Sequence, residues 1–200
     1  MAPRRSTMLG HGMLHDLAPG FIVASPALLD PNFTRTVVLL VAHNADGALG
    51  FIVNRPMAGL TIERVLRDLG TPCERPRPDL VLAGGPVQKE AGFVMLERGE
   101  GESLPTPDGY RVGPSLVVSS SRTALALLGH PEGSDRSHLM LGYAGWGPGQ
   151  LEDEIAAGAW IPADLDAGLI FDAPMSERWG LAFASIGSHP ALISRNVGLA

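Results

Sequence analysis

The stretch HNADGALGFIVNRP, residues 43–56, decides the fold of this chain more than any other. An apolar run at residues 36–42 leads into it, and a second apolar run at residues 49–53 lies within it. Between the two runs lies an Asn/Asp/Gly cluster, which can adopt the positive φ that a tight β-hairpin requires. The sequence therefore predicts two neighbouring antiparallel strands that fold back through Asp46-Gly47.

Polar groups flank both runs of this predicted hairpin. His43-Asn44 ends the first run and Asn54-Arg55 follows the second, so we expect all four in a shared neighbourhood at a rigid sheet end. Amide, imidazole and guanidinium groups can hold an anionic or peptide-like ligand by directional hydrogen bonds. Two nearby loops add an asparagine and a Gly-Gly-Pro turn, which gives the candidate binding residues Asn32, His43, Asn44, Asn54, Arg55, Gly84, Gly85 and Pro86. The alternative interpretation is that these groups tie loops together, with Arg55 paired to Asp30 or another acid.

Length and composition favour one globular domain. Two hundred residues with 45% hydrophobic content can bury a full-sized core, while 25 glycines and 17 prolines favour short elements joined by many turns. We predict a flexible N-terminal arm at residues 1–17 and a single domain at residues 18–200. His11 and His15, inside that arm, have the i,i+4 spacing of a metal pair, but no helical pattern or third ligand accompanies them.

The charge balance argues against a nucleic-acid-binding protein. Fifteen basic residues face 21 acidic ones, for a net charge of −6, whereas phosphate neutralisation by cations dominates DNA affinity. The predicted helix at residues 61–69 mixes acids with arginines and is followed by a strand, so no helix-turn-helix is predicted. All the cations but Lys89 are arginines, which suits contacts to carboxylate or phosphate, although a GC-rich genome produces the same bias.

The sequence shows no secretory signal, no membrane-spanning run and no cysteine pair. The N-terminus carries Arg4 and Arg5 but no apolar segment before Phe21, and no apolar run approaches the roughly 20 residues that span a bilayer. We therefore expect a cytoplasmic protein without membrane contact. Cys73 is the single cysteine and lies in a predicted surface loop, where it is either an incidental thiol or one activated by Arg75.

Hydrophobic periodicity predicts the element order β-β-β-α-β-β-β-α-β-α-β-β-α. The last two strands of this order are placed at residues 159–162 and 169–171, and the final helix follows Pro174. The order holds more strands than a simple alternating βαβ protein needs, so we expect an α/β domain with a mixed sheet.

The sequence contains no clear match to a common catalytic motif. The turn at residues 145–149 has G-x-G-x-G spacing rather than that of a dinucleotide loop, so its glycines are expected to permit packing around Trp146. Glu152 and Glu154 follow it and are expected to be solvated acids at a helix start. No nucleophile elbow is present, and the histidines at 130, 138 and 189 lack metal-site spacing. The sequence predicts no cofactor and no metal.

Several long blocks in order resemble the AlgH/YqgE family of bacterial proteins. The resemblance extends over about residues 13–198, and its blocks are DPNF (30–33), HNADGALGFIVNRP (43–56), GGPV (84–87), GFV (92–94), LGYAGW (141–146), GQLE (149–152) and the region from FD to RW (171–179). It implies a bifurcated mixed sheet curled into a pseudo-barrel with helices packed outside. It implies no established catalytic activity, and some members are named as transcriptional regulators. Leu96 and Thr123 depart from the family pattern, which often has His and Asp there.

The functional hypothesis is a non-enzymatic cytoplasmic binding or regulatory protein. Its partner is an unknown protein or a small anionic ligand, without direct nucleic-acid contact. The alternative is an enzyme acting on an anionic or phosphorylated substrate, with Arg55 as anion clamp and His43 as acid–base group. That alternative requires His43 and Arg55 to face one pocket.

Overall fold

A computed structural model of the chain describes residues 17–99 and 109–187. The predicted arm up to residue 16, including His11 and His15, lies outside the described residues. The described residues form the strands and helices β1 (Gly20–Ala24), β2 (Val37–Asn44), β3 (Gly47–Ile52), β4 (Pro56–Thr61), α1 (Ile62–Asp68), β5 (Leu80–Ala83), β6 (Val87–Glu97), β7 (Tyr110–Val112), β8 (Leu116–Ser119), α2 (Arg122–Gly129), β9 (Ser137–Trp146), α3 (Gln150–Ala156), β10 (Trp160–Ala163), α4 (Ala167–Phe171) and α5 (Arg178–Ser185).

The predicted hairpin is confirmed. Strands β2 and β3 pair antiparallel, with Asn44 opposite Gly47 at the turn. The Asn44 Oδ1 atom accepts a hydrogen bond from the Asp46 amide at 2.8 Å, and Gly47 has a φ of 127°. A Cβ atom at Gly47 would lie 2.1 Å from the Trp146 carbonyl oxygen, so the turn also needs glycine because strand β9 runs beside it.

The sheet is mixed and bifurcated, as the resemblance implied. Its main path runs β10-β1-β2-β3-β9-β6-β8-β7. On one side of β9, the C-terminal half pairs antiparallel with β3 while the middle pairs parallel with β5, and β4 continues that second branch. Strand β6 occupies the other side of β9. The sheet curls into a half-barrel within a single α/β domain.

The fork is the point on β9 where its pairing changes from β5 to β3, and glycine backbones approach closely there. Gly142 of β9 has a φ of 72°, and a Cβ atom there would lie 2.6 Å from the Gly85 carbonyl oxygen. Gly84 accepts a hydrogen bond from the Ile52 amide at 2.8 Å and donates one to the Leu141 carbonyl at 2.7 Å. Gly84 therefore joins the end of β3 to β9, and it links the two branches through backbone atoms alone.

Alternating side chains of the central strands fill two faces of the curled sheet. Phe21 and Val23 of β1 belong to the cluster inside the curl, together with residues of α4 and α5, whereas Ile22 and Ala24 pack on the opposite face near α3. A third cluster lies under α1 and α2. Full burial of such aliphatic or aromatic side chains contributes roughly 1.5–3 kcal/mol each, so both faces of the sheet are strongly specified.

Three elements differ from the sequence-based prediction. The expected strand at residues 169–171 is wrong: these residues end helix α4, whose N-cap Asp166 accepts a hydrogen bond from the Gly168 amide. Leu169 and Ile170 are adjacent and both buried, which gives a helix this short no readable period. Strands β4 and β7 were not predicted, because β4 contains Pro and Gly and β7 has three residues. Within the described ranges, no helix is long and apolar enough to cross a bilayer.

Replacing Gly142 by alanine should disrupt the fork. Gly149 has the same φ of 72°, but a Cβ atom there would meet nothing within 4 Å, so Gly149→Ala is a matched control for backbone strain alone. We expect Gly149→Ala to lower the free energy of unfolding by about 1 kcal/mol and Gly142→Ala by about 3 kcal/mol or more, because the latter adds a clash with two carbonyl oxygens. Urea unfolding of both variants measures the difference, and equal losses would refute the role assigned to the fork.

Candidate functional site

The candidate residues separate into two groups at opposite ends of the hairpin. Asn44 lies opposite Gly47 at the turn, whereas Val38 lies opposite Ile52 six residues away. That separation corresponds to roughly 20 Å along a strand. The expected shared neighbourhood is therefore wrong, because the residues after β3 emerge at the open end of an antiparallel pair, far from the turn.

At the turn end, the buried His43 side chain contacts Glu152 of helix α3. Its Nε2 atom lies 3.1 Å from Glu152 Oε1, and its side chain is 1% exposed. Its Nδ1 atom is buried without a hydrogen-bond partner among the described residues. His43 thus ties the hairpin to helix α3 and opens onto none of the cavities described below.

Glu152 and Glu154 of helix α3 bond to other side chains, which corrects the expectation that they are simply solvated acids. Glu154 Oε2 accepts hydrogen bonds from the indole nitrogens of Trp146 at 3.0 Å and Trp160 at 2.7 Å. Its Oε1 atom accepts from Gln150 at 2.8 Å. One carboxylate therefore holds two buried tryptophans.

At the open end, Arg55 binds carbonyl oxygens instead of an acid. Its guanidinium donates to the carbonyls of Pro31 at 3.1 Å, Asn32 at 2.6 Å and Thr34 at 3.1 Å. The alternative pairing with Asp30 is wrong: Asp30 uses its carboxylate to accept the Asn32 amide at 2.7 Å. Arg55 therefore fixes the loop at residues 30–34 in place.

Asn54, which precedes Arg55, binds the segment that joins this loop to β2. Its Oδ1 atom accepts from the Val37 amide at 2.9 Å, and its Nδ2 atom donates to the Arg35 carbonyl at 2.9 Å. Arg35 has a φ of 54°, a conformation that non-glycine residues rarely adopt. The loop is thus held by side chains that replace regular strand pairing.

A cleft of about 260 Å³ opens beside Arg55 at the fork of the sheet. Its lining comes from the loop, both branches and the start of β6: Asn32, Ile52, Arg55, Met57, Ala83, Gly85, Pro86, Lys89 and Leu141. Four candidate residues line it (Asn32, Arg55, Gly85 and Pro86), while Gly84 forms the backbone bridge behind it and Asn54 holds its loop. Arg55 and Lys89 are its charged lining residues, and no carboxylate of the described residues lines it.

Lys89 is the charged lining residue that the sequence analysis did not select. The register of β6 against β9 shifts between Val87 and Gly92, so Lys89 lies on an irregular segment. Gln88 beside it has a φ of 46°, a strained value for a non-glycine residue. The available signal was that Lys89 is the single lysine of the chain and follows the Gly-Gly-Pro turn closely.

The fork, the loop and the glycine turn all lie within residues that match a protein-family model. Residues 21–191 match the family model described as AlgH-like. The chain belongs to the AlgH-like family. It is 43% identical over 181 residues to a UPF0301 protein of Anaeromyxobacter sp. strain K, covering 88% of this chain and 90% of that protein. A UPF0301 protein of Caulobacter vibrioides is 41% identical over 182 residues, covering 90% and 91%.

Solved structures show the same AlgH-like fold. The solution structure of the AlgH protein from Pseudomonas aeruginosa has a TM-score of 0.69 at 34% identity and covers 99% of this chain and 100% of that one. A crystal structure of a Corynebacterium diphtheriae protein has a TM-score of 0.65 at 24% identity, covering 83% and 85%, and supports the fold alone. The function of this family is uncharacterised.

His138, which the sequence analysis assigned to no site, is a core residue. Its Nε2 atom is 3.0 Å from the Ile170 carbonyl oxygen, and its ring stacks on Phe171 with centroids 5.4 Å apart. Burial lowers the pKa of His138 from 6.5 to about 4, so it is neutral at pH 7 and donates its Nε2 proton to Ile170. Among the described residues, no group of three potential ligands could hold a metal ion.

The buried His138 should make the fold acid-sensitive. Because its pKa is about 4 in the folded chain and near 6.5 when unfolded, stability is full above pH 6.5 and is lost as the pH falls towards 4. The loss attributable to this group is at most about 3 kcal/mol. In His138→Gln, which keeps an N–H donor, urea unfolding between pH 7 and pH 4 should show a shallower decline. Parallel declines in the two proteins would assign the acid sensitivity to other groups.

Proposed function

We propose that this AlgH-like protein is a non-enzymatic binding protein that holds a small anionic ligand in the cleft beside Arg55 and Lys89. The ligand class is a phosphate or carboxylate of a size compatible with about 260 Å³. Occupancy of the cleft would link the loop at residues 30–34 to both branches of the sheet. A regulatory role would follow if a protein partner bound that loop.

The charge of the cleft carries this proposal. The whole chain has a net charge of −6, yet the charged groups that line the cleft are both cationic. Local positive potential inside a concave, partly apolar site favours anions over the bulk charge of the protein. Asn32 and the backbone around Gly85 add polar groups that can orient a bound oxyanion.

Arg55 is pre-positioned for such a ligand. Contacts to three carbonyl oxygens fix its guanidinium and use Nη1 and one side of Nη2. The Nε–H group and a second Nη2–H group remain for a ligand. Because the side chain is already ordered, binding costs little further conformational entropy.

The cleft favours binding over the alternative of catalysis. The enzymatic hypothesis required His43 and Arg55 in one pocket, but His43 lies at the far end of the hairpin against Glu152. The lining described for the cleft offers cations and an amide, and it contains no imidazole or carboxylate to move a proton.

Any effect on transcription is proposed to pass through a ligand or partner rather than through DNA contact. On helix α1, Arg67 pairs with Glu63 at 2.7 Å and Arg64 with Asp68 at 3.7 Å, so this helix presents no net positive face. Helix α2 carries Arg122 as its one basic residue. Neither helix offers the basic surface that a major-groove reader uses.

Protection of Lys89 from acylation tests the anion site. Because Lys89 is the single lysine, an amine-reactive ester can label Lys89 and the α-amino group, and the latter is an internal reference. We expect saturating inorganic phosphate or citrate to slow acylation of Lys89 by about fivefold, because a paired anion shields the ammonium and holds it protonated. Mass spectrometry of the labelled peptide measures the rate.

Two charge-matched variants complete this test. Lys89→Gln should lose the rise in Tm that phosphate gives the wild-type chain. Arg64→Gln removes the same charge from an exposed side chain on α1 and should keep that rise. An equal acylation rate of Lys89 with and without anion, or the same change in Tm with phosphate in both variants, would contradict the proposed anion site.

Direct DNA binding should be absent. We expect no retention of duplex DNA at about 20 mM salt, where phosphate contacts are strongest. A fluorescence-anisotropy titration with random-sequence duplex measures this. Micromolar affinity that weakens steeply with salt would contradict the proposed indirect route.

A further inference from the structure

A second cavity, of about 530 Å³, lies between strand β1 and helices α4 and α5. Its walls are largely apolar, and the side chains that form them are Phe21, Leu165, Leu169, Ala173, Leu181 and Ile186. Leu181, on this wall, is 43% exposed. The volume lies in the range of typical small-molecule sites, about 300–1,000 Å³.

Carboxylates line the rim of this cavity. Asp166 Oδ1 accepts the Gly168 amide at 2.8 Å, which caps α4. A Cβ atom built at Gly168 would lie 3.1 Å from Asp166 Oδ1 and 3.5 Å from Asp172 Oδ2. Oxygens of two carboxylates thus converge over the bare Cα of Gly168, and Asp164 adds a third acid to the lining.

The negative charge of the rim is only partly balanced. No basic residue is among the described lining residues. Arg136 donates to Asp172 and to Glu97, so it neutralises part of one carboxylate. Arg178 directs its guanidinium to the carbonyls of Val53 and Ala173. Asp164 and Asp166 therefore have no basic partner among the described residues.

We propose that this cavity binds a small organic cation with an apolar stem. The ammonium or guanidinium group would lie between the carboxylates of Asp166 and Asp172, above Gly168, and the stem would pack on Leu169 and Ile186. Charge-assisted hydrogen bonds to carboxylates are strengthened by the neighbouring apolar wall. The site is separate from the anion cleft and opposite to it in charge, so neither proposal depends on the other.

A matched pair of probes tests the charge requirement. We expect 2-phenylethylammonium to bind the full-length chain and to shift the amide resonances of Gly168 and Leu181 in ¹H–¹⁵N spectra. The neutral analogue 2-phenylethanol, with the same stem, should bind at least about fivefold more weakly, because it forms no charge-assisted contact. Equal affinity of the two probes, or no binding up to about 10 mM amine, would overturn the proposal.

Three variants localise the site. Asp166→Asn keeps a good N-cap for α4 but removes a charge, and it should weaken amine binding about fivefold. Asp164→Asn, at an exposed position, should weaken it in the same direction, while Asp46→Asn on the distant hairpin turn should leave it unchanged. Unchanged binding in both rim variants, or an equal loss in Asp46→Asn, would overturn the proposal.

Discussion

A close backbone approach at the fork holds both branches of the sheet together. Gly142 can accept a left-handed backbone and leaves room for the Gly85 carbonyl, so β9 can pair with both β3 and β5 along the same side. A side chain at either glycine would push the branches apart. Gly84 then closes the junction with one donated and one accepted hydrogen bond.

The cleft beside Arg55 is a direct product of that junction. Ile52 reaches it from one branch and Ala83 from the other, and the Arg55 side chain crosses to the loop before β2. Loop carbonyls fix the guanidinium, so the cationic group is as rigid as the sheet that carries it. The same junction thereby sets the fold and gives a mainly acidic protein a small basic surface.

Local patterns in the sequence were sufficient for the hairpin, the helix at residues 61–69 and the mixed sheet, since apolar runs and Asp46-Gly47 determine them by short-range chemistry. The family resemblance supplied the bifurcation. Short elements such as α4 and β7 were missed because they are too brief to show a period. At the candidate site, the errors depended on longer-range geometry: His43 and Arg55 are near in the sequence but lie at opposite ends of an antiparallel pair. Lys89 was missed because a β-irregularity brings it to the cleft, and Glu154 was misread because its indole partners are fixed only by tertiary packing.

The tryptophan hydrogen bonds have an optical consequence. Trp146 and Trp160 share Glu154, and the Trp179 indole donates to the Ala24 carbonyl at 2.8 Å. Trp160 is also the register partner of Ala24 in the sheet. Intrinsic fluorescence of this protein therefore reports on the C-terminal end of β1 from two directions, and local detachment of α3 or α5 would change the emission before the sheet itself melts.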